Sequence, residues 1–201
     1  HTRFRNVTGV QTCALPILTN AVLPRTSAIT KGLLVTGGAL FLSALAQVSI
    51  PVPGSPVPVT GQTLGVLLLA TAYGASMGVA TFALYLLIGF AGAPVFAGHG
   101  HGIERLAGPT GGYLAGMFLA SWVLGALAGR KWDQKLFSAI TTMLIGDVII
   151  FAIGLFWLHA YADKDWAWTF NAGLTPFILG EILKIAIAGT SLPLLWRLVQ
   201  R

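Results

Sequence analysis

"PFILGEILKIAIAGTSLPLL", residues 176–195, is an apolar run with an acid and an amine set inside it. A helix that crosses a bilayer needs roughly 20 apolar residues, so this stretch places the chain in a membrane. Glu181 and Lys184 stand three residues apart, which puts both on one helix face. A charge at the centre of a helix in lipid costs ~2.5–3.5 kcal/mol on insertion scales. Such a pair therefore faces a cavity or neutralises itself. Counting ~1.5 Å per residue from Pro176, the two lie roughly 8 and 12 Å in from the outer side.

The composition agrees with that setting. Of 201 residues, 55% are apolar and only 9% are charged, and the mean hydropathy is +0.79. A soluble domain carries about 25% charged residues, so this chain lacks the polar surface to cover itself in water. Apolar runs fall at about 31–50, 60–73, 75–92, 111–129, 136–160 and 174–198. They predict an all-α integral membrane protein with six transmembrane helices in a single domain spanning 18–201. Only "AYGAS" separates the second run from the third, so a single broken hairpin would also fit there. "SIPVPGSPVPVTG" (49–61) carries four prolines and reads as a loop or extended cap. "GAPVFAGHGHGIERLAGPTGG" (92–112) is rich in Gly and Pro yet only moderately polar, which suits a loop folded back over a cavity.

The net charge is +6. Its basic residues sit at segment ends without interleaved aromatics, so they read as orientation signals and not as a nucleic-acid surface. Arg25 and Lys31 precede the first run, Arg130, Lys131 and Lys135 lie between the fourth and fifth, and Arg197 and Arg201 close the chain. By the positive-inside rule, both termini are cytoplasmic. At the other end of the chain, "VTGVQTCALPI" (7–17) resembles the translation of a common sequencing-adapter string. On that reading residues 1–17 are an assembly artefact and the native chain starts near Leu18; a polar tail is the alternative. The sole cysteine, Cys13, falls in this segment and excludes a disulfide framework.

Catalytic patterns are missing. No GxxxxGK[ST] phosphate loop and no HExxH occur, and His99 and His101 in "GHGH" read as a polar loop with no metal expected. The ionisable residues in or beside spans are Asp147, Glu181, Lys184 and, at a loop edge, Arg105. Asp147 suits either a polar contact between helices or a functional role. Gly112, Gly116 and Ala120 follow a small-xxx-small register, as do Ala39 and Ser43. Such faces serve packing within a bundle or docking of another membrane protein. These residues describe a binding or transport module and no enzyme.

"IPVPGSPVPVTGQTLGVLL" (50–68), "GAPVFAG" (92–98), "GPTGGYLAG" (108–116) and "PFILGEILKIAIAG" (176–189) resemble the biotin transporter BioY family, from about Leu33 to the C-terminus. Members are the substrate-binding S components of energy-coupling factor (ECF) transporters. The resemblance implies a six-helix S-component fold in the bacterial cytoplasmic membrane, biotin as substrate, and no cofactor of its own. It also implies partners: a transmembrane coupling subunit and two ATPase subunits, docked on faces such as Ala39 and Ser43. The family's acid and lysine of the last helix map onto Glu181 and Lys184, where Glu replaces a frequent Asp. Lys184 would then meet biotin's valerate carboxylate, with Arg105 as a second cation. Gln62, Thr60, Thr110 or Asn171 would serve the ureido group, and Tyr113 or Trp166 the fused ring. A stand-alone facilitator for biotin or another vitamin remains an alternative, as does an intramembrane enzyme.

Overall fold

The computed structural model describes residues 17–23 and 27–199. The adapter-like segment up to Pro16, together with Arg25 and Arg201, lies outside the described residues. A short helix α1 (Leu18–Val22) precedes α2 (Ala28–Gln47), which Ser27 caps by accepting from the Thr30 amide at 3.2 Å. A two-residue ribbon, β1 (Ser49–Ile50) antiparallel to β2 (Val59–Thr60), closes the proline-rich loop. Then follow α3 (Gln62–Phe90), a helical turn at Ala97–His99, α4 (Glu104–Ala107) and α5 (Gly111–Gly129). The chain ends with α6 (Leu136–Ala162), α7 (Trp166–Gly173), a turn at Thr175–Phe177 and α8 (Ile178–Val199). Five helical stretches are long and apolar enough to cross a membrane: α2, α3, α5, α6 and the run ending in α8.

The sixth transit is hidden in α3. Gly74 has φ 77° and ψ 173°, a conformation open to glycine and hostile to residues with a Cβ. A straight helix would separate Gln62 and Tyr85 by roughly 35 Å at ~1.5 Å per residue. Yet the Gln62 amide donates to the Tyr85 hydroxyl at 2.7 Å. A Cβ on Gly78 would also sit 2.9 Å from the Ala70 Cα, eight residues back. The chain therefore reverses at Gly74, and the halves 62–73 and 75–90 run antiparallel. Six transits result, with the start of α2 and the end of α8 on the side where Arg130, Lys131, Lys135 and Arg197 lie. By the positive-inside rule that side is cytoplasmic.

Small residues set the helix separations. A Cβ on Gly116 would lie 2.8 Å from the Ile150 Cα, so α5 and α6 touch at backbone distance, and Ala120 is fully buried. The small-residue face of α2 is a correction to the docking expectation. Ala39 is 0% exposed, and neighbouring Gly38 leaves no room for a methyl beside Thr81 of α3. Ser43 turns its hydroxyl back onto the Ala39 carbonyl at 2.8 Å. Ala39 packs inside the bundle because its small side lets α2 approach α3.

Candidate functional site

The site is built where α8 meets the start of α3. Glu181 lies in the first turn of α8, and Lys184 follows one turn on. The Lys184 ammonium donates to Glu181 Oε1 at 2.6 Å, to the Thr60 carbonyl at 2.6 Å and to Thr63 Oγ1 at 2.9 Å. An ammonium has three donors, and all three are placed. Thr63 Oγ1 in turn lies 3.0 and 2.9 Å from the two carboxylate oxygens of Glu181, so its single proton goes to the acid. This is the one ion pair among the described residues. The acid is 6% exposed. Two side chains and one carbonyl thus hold the base, while two donors hold the acid.

A cavity opens above this network toward the outer side. The empty space here, counted with the open mouth and the solvent in it, is about 780 Å³. Tyr113, Met117, Phe151 and Phe177 form its apolar wall, and Pro56–Pro58 with Phe96 and Ala97 form its cover. Aromatic contacts keep that wall rigid: Tyr113 meets Phe151 edge-on at 5.8 Å and stacks on Phe177 at 6.4 Å. The cover is tied down at several points. Ser55 donates to the Ala172 carbonyl at 2.7 Å, and the Gln47 amide donates to the carbonyls of Val95 and Phe96 at 3.3 and 3.2 Å. Phe96 itself is 3% exposed and lies edge-on to Tyr85. The Gly/Pro-rich loop thus folds back over the cavity as its composition predicts.

The structure brings Glu181, Thr60, Gln62, Thr110, Tyr113 and Arg105 together around this space. Thr60, Gln62 and Tyr85 form a directed string of donors: the Thr60 hydroxyl to Gln62 Oε1 at 3.1 Å, Gln62 Nε2 to Tyr85 at 2.7 Å, and Tyr85 to the Val95 carbonyl at 3.3 Å. The Tyr113 hydroxyl donates to the Gly173 carbonyl at 2.8 Å, leaving its ring for the cavity. Arg105 is exposed at the cavity edge and makes no side-chain hydrogen bond or ion pair among the described residues.

Three expected residues fall elsewhere. Lys184 does not line the cavity, because its donors are turned to Glu181, the Thr60 carbonyl and Thr63. Trp166 lies on the outer surface, stacked on His159 at 4.0 Å, and Asn171 is exposed. Amphipathic α7 explains both: it turns Thr169, Ala172 and Gly173 inward, so residues 166 and 171 face away. Sequence reading missed Thr63, since nothing local marks a threonine that bridges an acid 118 positions away. On α6, Asp147 is 7% exposed, its Oδ1 has no partner, and it shares with Glu181 a groove between α6 and α8.

The BioY family model matches residues 18–201. The biotin transporter BioY2 of Lactococcus lactis subsp. cremoris is 39% identical over 154 residues, covering 75% of this chain and 81% of that protein. The biotin transporter BioY of Thermotoga maritima is 37% identical over 139 residues, covering 69% and 80%. A solved S component for biotin from an ECF-type ABC transporter superposes with a TM-score of 0.78 at 20% identity, covering 88% of this chain and 96% of that one. The fold is therefore that of an S component, in a lineage of multi-pass membrane transporters and not of enzymes. With a six-transit bundle, a covered outer cavity and a family match along nearly its whole length, the chain belongs to the BioY family.

Proposed function

We propose that the chain binds biotin in the outer cavity and delivers it across a bacterial cytoplasmic membrane as the S component of an ATP-driven ECF transporter. Its partners are a transmembrane coupling subunit and two ATPase subunits. The observation that carries the reading is the division of labour between two cations. Lys184 is fully engaged by Glu181, Thr60 and Thr63, whereas Arg105 faces the cavity uncommitted. Biotin's valerate carboxylate therefore meets Arg105, which offers a planar fork of donors suited to a carboxylate. Glu181, held by Thr63 and Lys184, keeps acceptor capacity for the ureido N–H groups. The fused ring rests on Tyr113 and Phe177. A mostly apolar pocket with a few placed polar groups is the usual form of a small-ligand site.

Ala39 being buried, the coupling subunit docks on the opposite face of α2. A Cβ on Gly32 or Gly37 would meet no atom within 4 Å, and Leu33 and Leu40 are well exposed there. Equilibrium binding of labelled biotin to the purified protein tests the site. Arg105→Gln should weaken binding by about tenfold, or ~1.4 kcal/mol. Biotin methyl ester, which lacks the anion, should bind wild type and variant alike. Equal losses for biotin and its ester would overturn the Arg105 assignment. Uptake in vesicles without ATPase subunits would instead support a facilitator.

A further inference from the structure

The cytoplasmic turn between α5 and α6, "RKWDQK" (130–135), holds three cations and one acid. In sequence the acid looks like their counter-ion. In the structure it is not. Asp133 is 0% exposed and accepts a hydrogen bond from the indole of Trp196 on α8, while its second oxygen has no partner. Arg130, Lys131 and Lys135 are all exposed, and none makes an ion pair among the described residues. The bond to Trp196 also brings the end of α8, with exposed Arg197, to the same rim. Apolar side chains stand beside these cations: Trp132 is 37% exposed, Leu136 52% and Phe137 85%. The first turn of α6 contains no acid, so its free amides add a partial positive charge.

We propose that this rim is a binding site for an anionic phospholipid of the inner leaflet. The phosphodiester is held by Arg130, Lys131, Lys135 and the α6 N-terminus, and the acyl region packs on Leu136 and Phe137. Juxtamembrane cations attract anionic headgroups, and a Trp at the interface suits the headgroup boundary. An acidic face on a cytoplasmic protein would match the cations equally, but it would leave Leu136 and Phe137 without an apolar partner. The lipid satisfies both.

The test uses the full chain in nanodiscs of equal parts phosphatidylglycerol and phosphatidylcholine, followed by native mass spectrometry of the lipids retained after extraction. Wild type should retain phosphatidylglycerol in preference by about tenfold, and Arg130→Gln/Lys131→Gln/Lys135→Gln should lose that preference while binding biotin unchanged. If the triple variant fails to fold, the single variants Arg130→Gln and Lys135→Gln should each lower the preference, whereas Lys164→Gln on the outer side should not. Equal retention of both lipids by wild type overturns the proposal, as does an unaltered preference in the cytoplasmic variants. So does a variant that keeps its lipids yet loses ATPase-dependent uptake, which would assign the rim to a protein partner.

Discussion

The outer and inner ends of the bundle both carry charge, and they dispose of it in opposite ways. At the outer end Glu181 and Lys184 are turned inward and joined through Thr63 into one buried network. At the inner end Arg130, Lys131 and Lys135 are turned outward, and the one acid nearby is withdrawn onto Trp196. Similar residue types thus lie inside the bundle at one end and face its surroundings at the other. Burial decides which, because a buried charge must be matched within the protein while an exposed one is matched by whatever it meets.

The largest effect should come from breaking the outer network. Lys184→Ala leaves Glu181 buried with only Thr63 as donor, and removing one partner of a buried pair costs about 3–5 kcal/mol. Thermal unfolding in detergent should register a loss of stability together with a loss of biotin binding. Arg105→Gln should lower binding alone. If Lys184→Ala lowers binding and leaves the unfolding temperature unchanged, the ammonium is a ligand contact and the division between the two cations is wrong.

Next in size is crowding of the cavity wall. A methyl at Gly154 of α6 would overlap the Tyr113 ring. Overpacking of this kind costs about 1–3 kcal/mol, and here the ring has only the cavity to move into. Gly154→Ala should therefore reduce biotin affinity several-fold while membrane insertion persists. Gly129→Ala at the inner end meets no atom within 4 Å and should change neither.

These two ends were not equally legible in the sequence. Six apolar runs, the break at "AYGAS" and the shared face of Glu181 and Lys184 follow from local spacing, and each is found in the structure. Gly74 shows why the break could be read: a glycine between two apolar runs is a local signal for a reversal. Thr63, Gln47 and Asp133 could not be read the same way. Each acts on a partner 48 or more positions distant, and the local pattern around it says nothing of what it faces. Trp166 was misplaced for a related reason. An aromatic near an outer loop fits a ligand wall and a membrane interface equally until the helix face is known.

The reversal itself offers a smaller effect. Gly74→Ala forces a Cβ into positive φ, at a cost of about 1–3 kcal/mol, and the added methyl would meet Ile17 at 2.9 Å. A moderate loss of thermal stability is expected. A cysteine placed at Ser76 should react with impermeant thiol reagents from the cytoplasmic side only. Labelling from the outer side, or protection from both, would mean that α3 crosses once and that the bundle has five transits.

The smallest effect concerns Asp133, the acid that the inner end hides. Burial pushes its carboxyl above the ordinary value of 3.8, with the hydrogen bond from Trp196 acting against that shift. The folded protein therefore keeps the proton to a higher pH than the unfolded chain does. The stability linked to that proton is fully present below the ordinary value and is lost as pH rises through the raised one. Asp133→Asn cannot titrate. Relative to that variant, wild type should lose unfolding temperature as pH rises above about 4, and a ΔΔG of 1 kcal/mol corresponds to ~2–4 °C at this size. Trp196→Phe removes the side-chain donor to the carboxylate, so it should raise the carboxyl further and extend the pH range of the loss. Parallel curves for wild type and Asp133→Asn would show that the acid is solvated after all. It would then be free to pair with Lys131 or Lys135, and the contrast between the two ends would fail at its inner half.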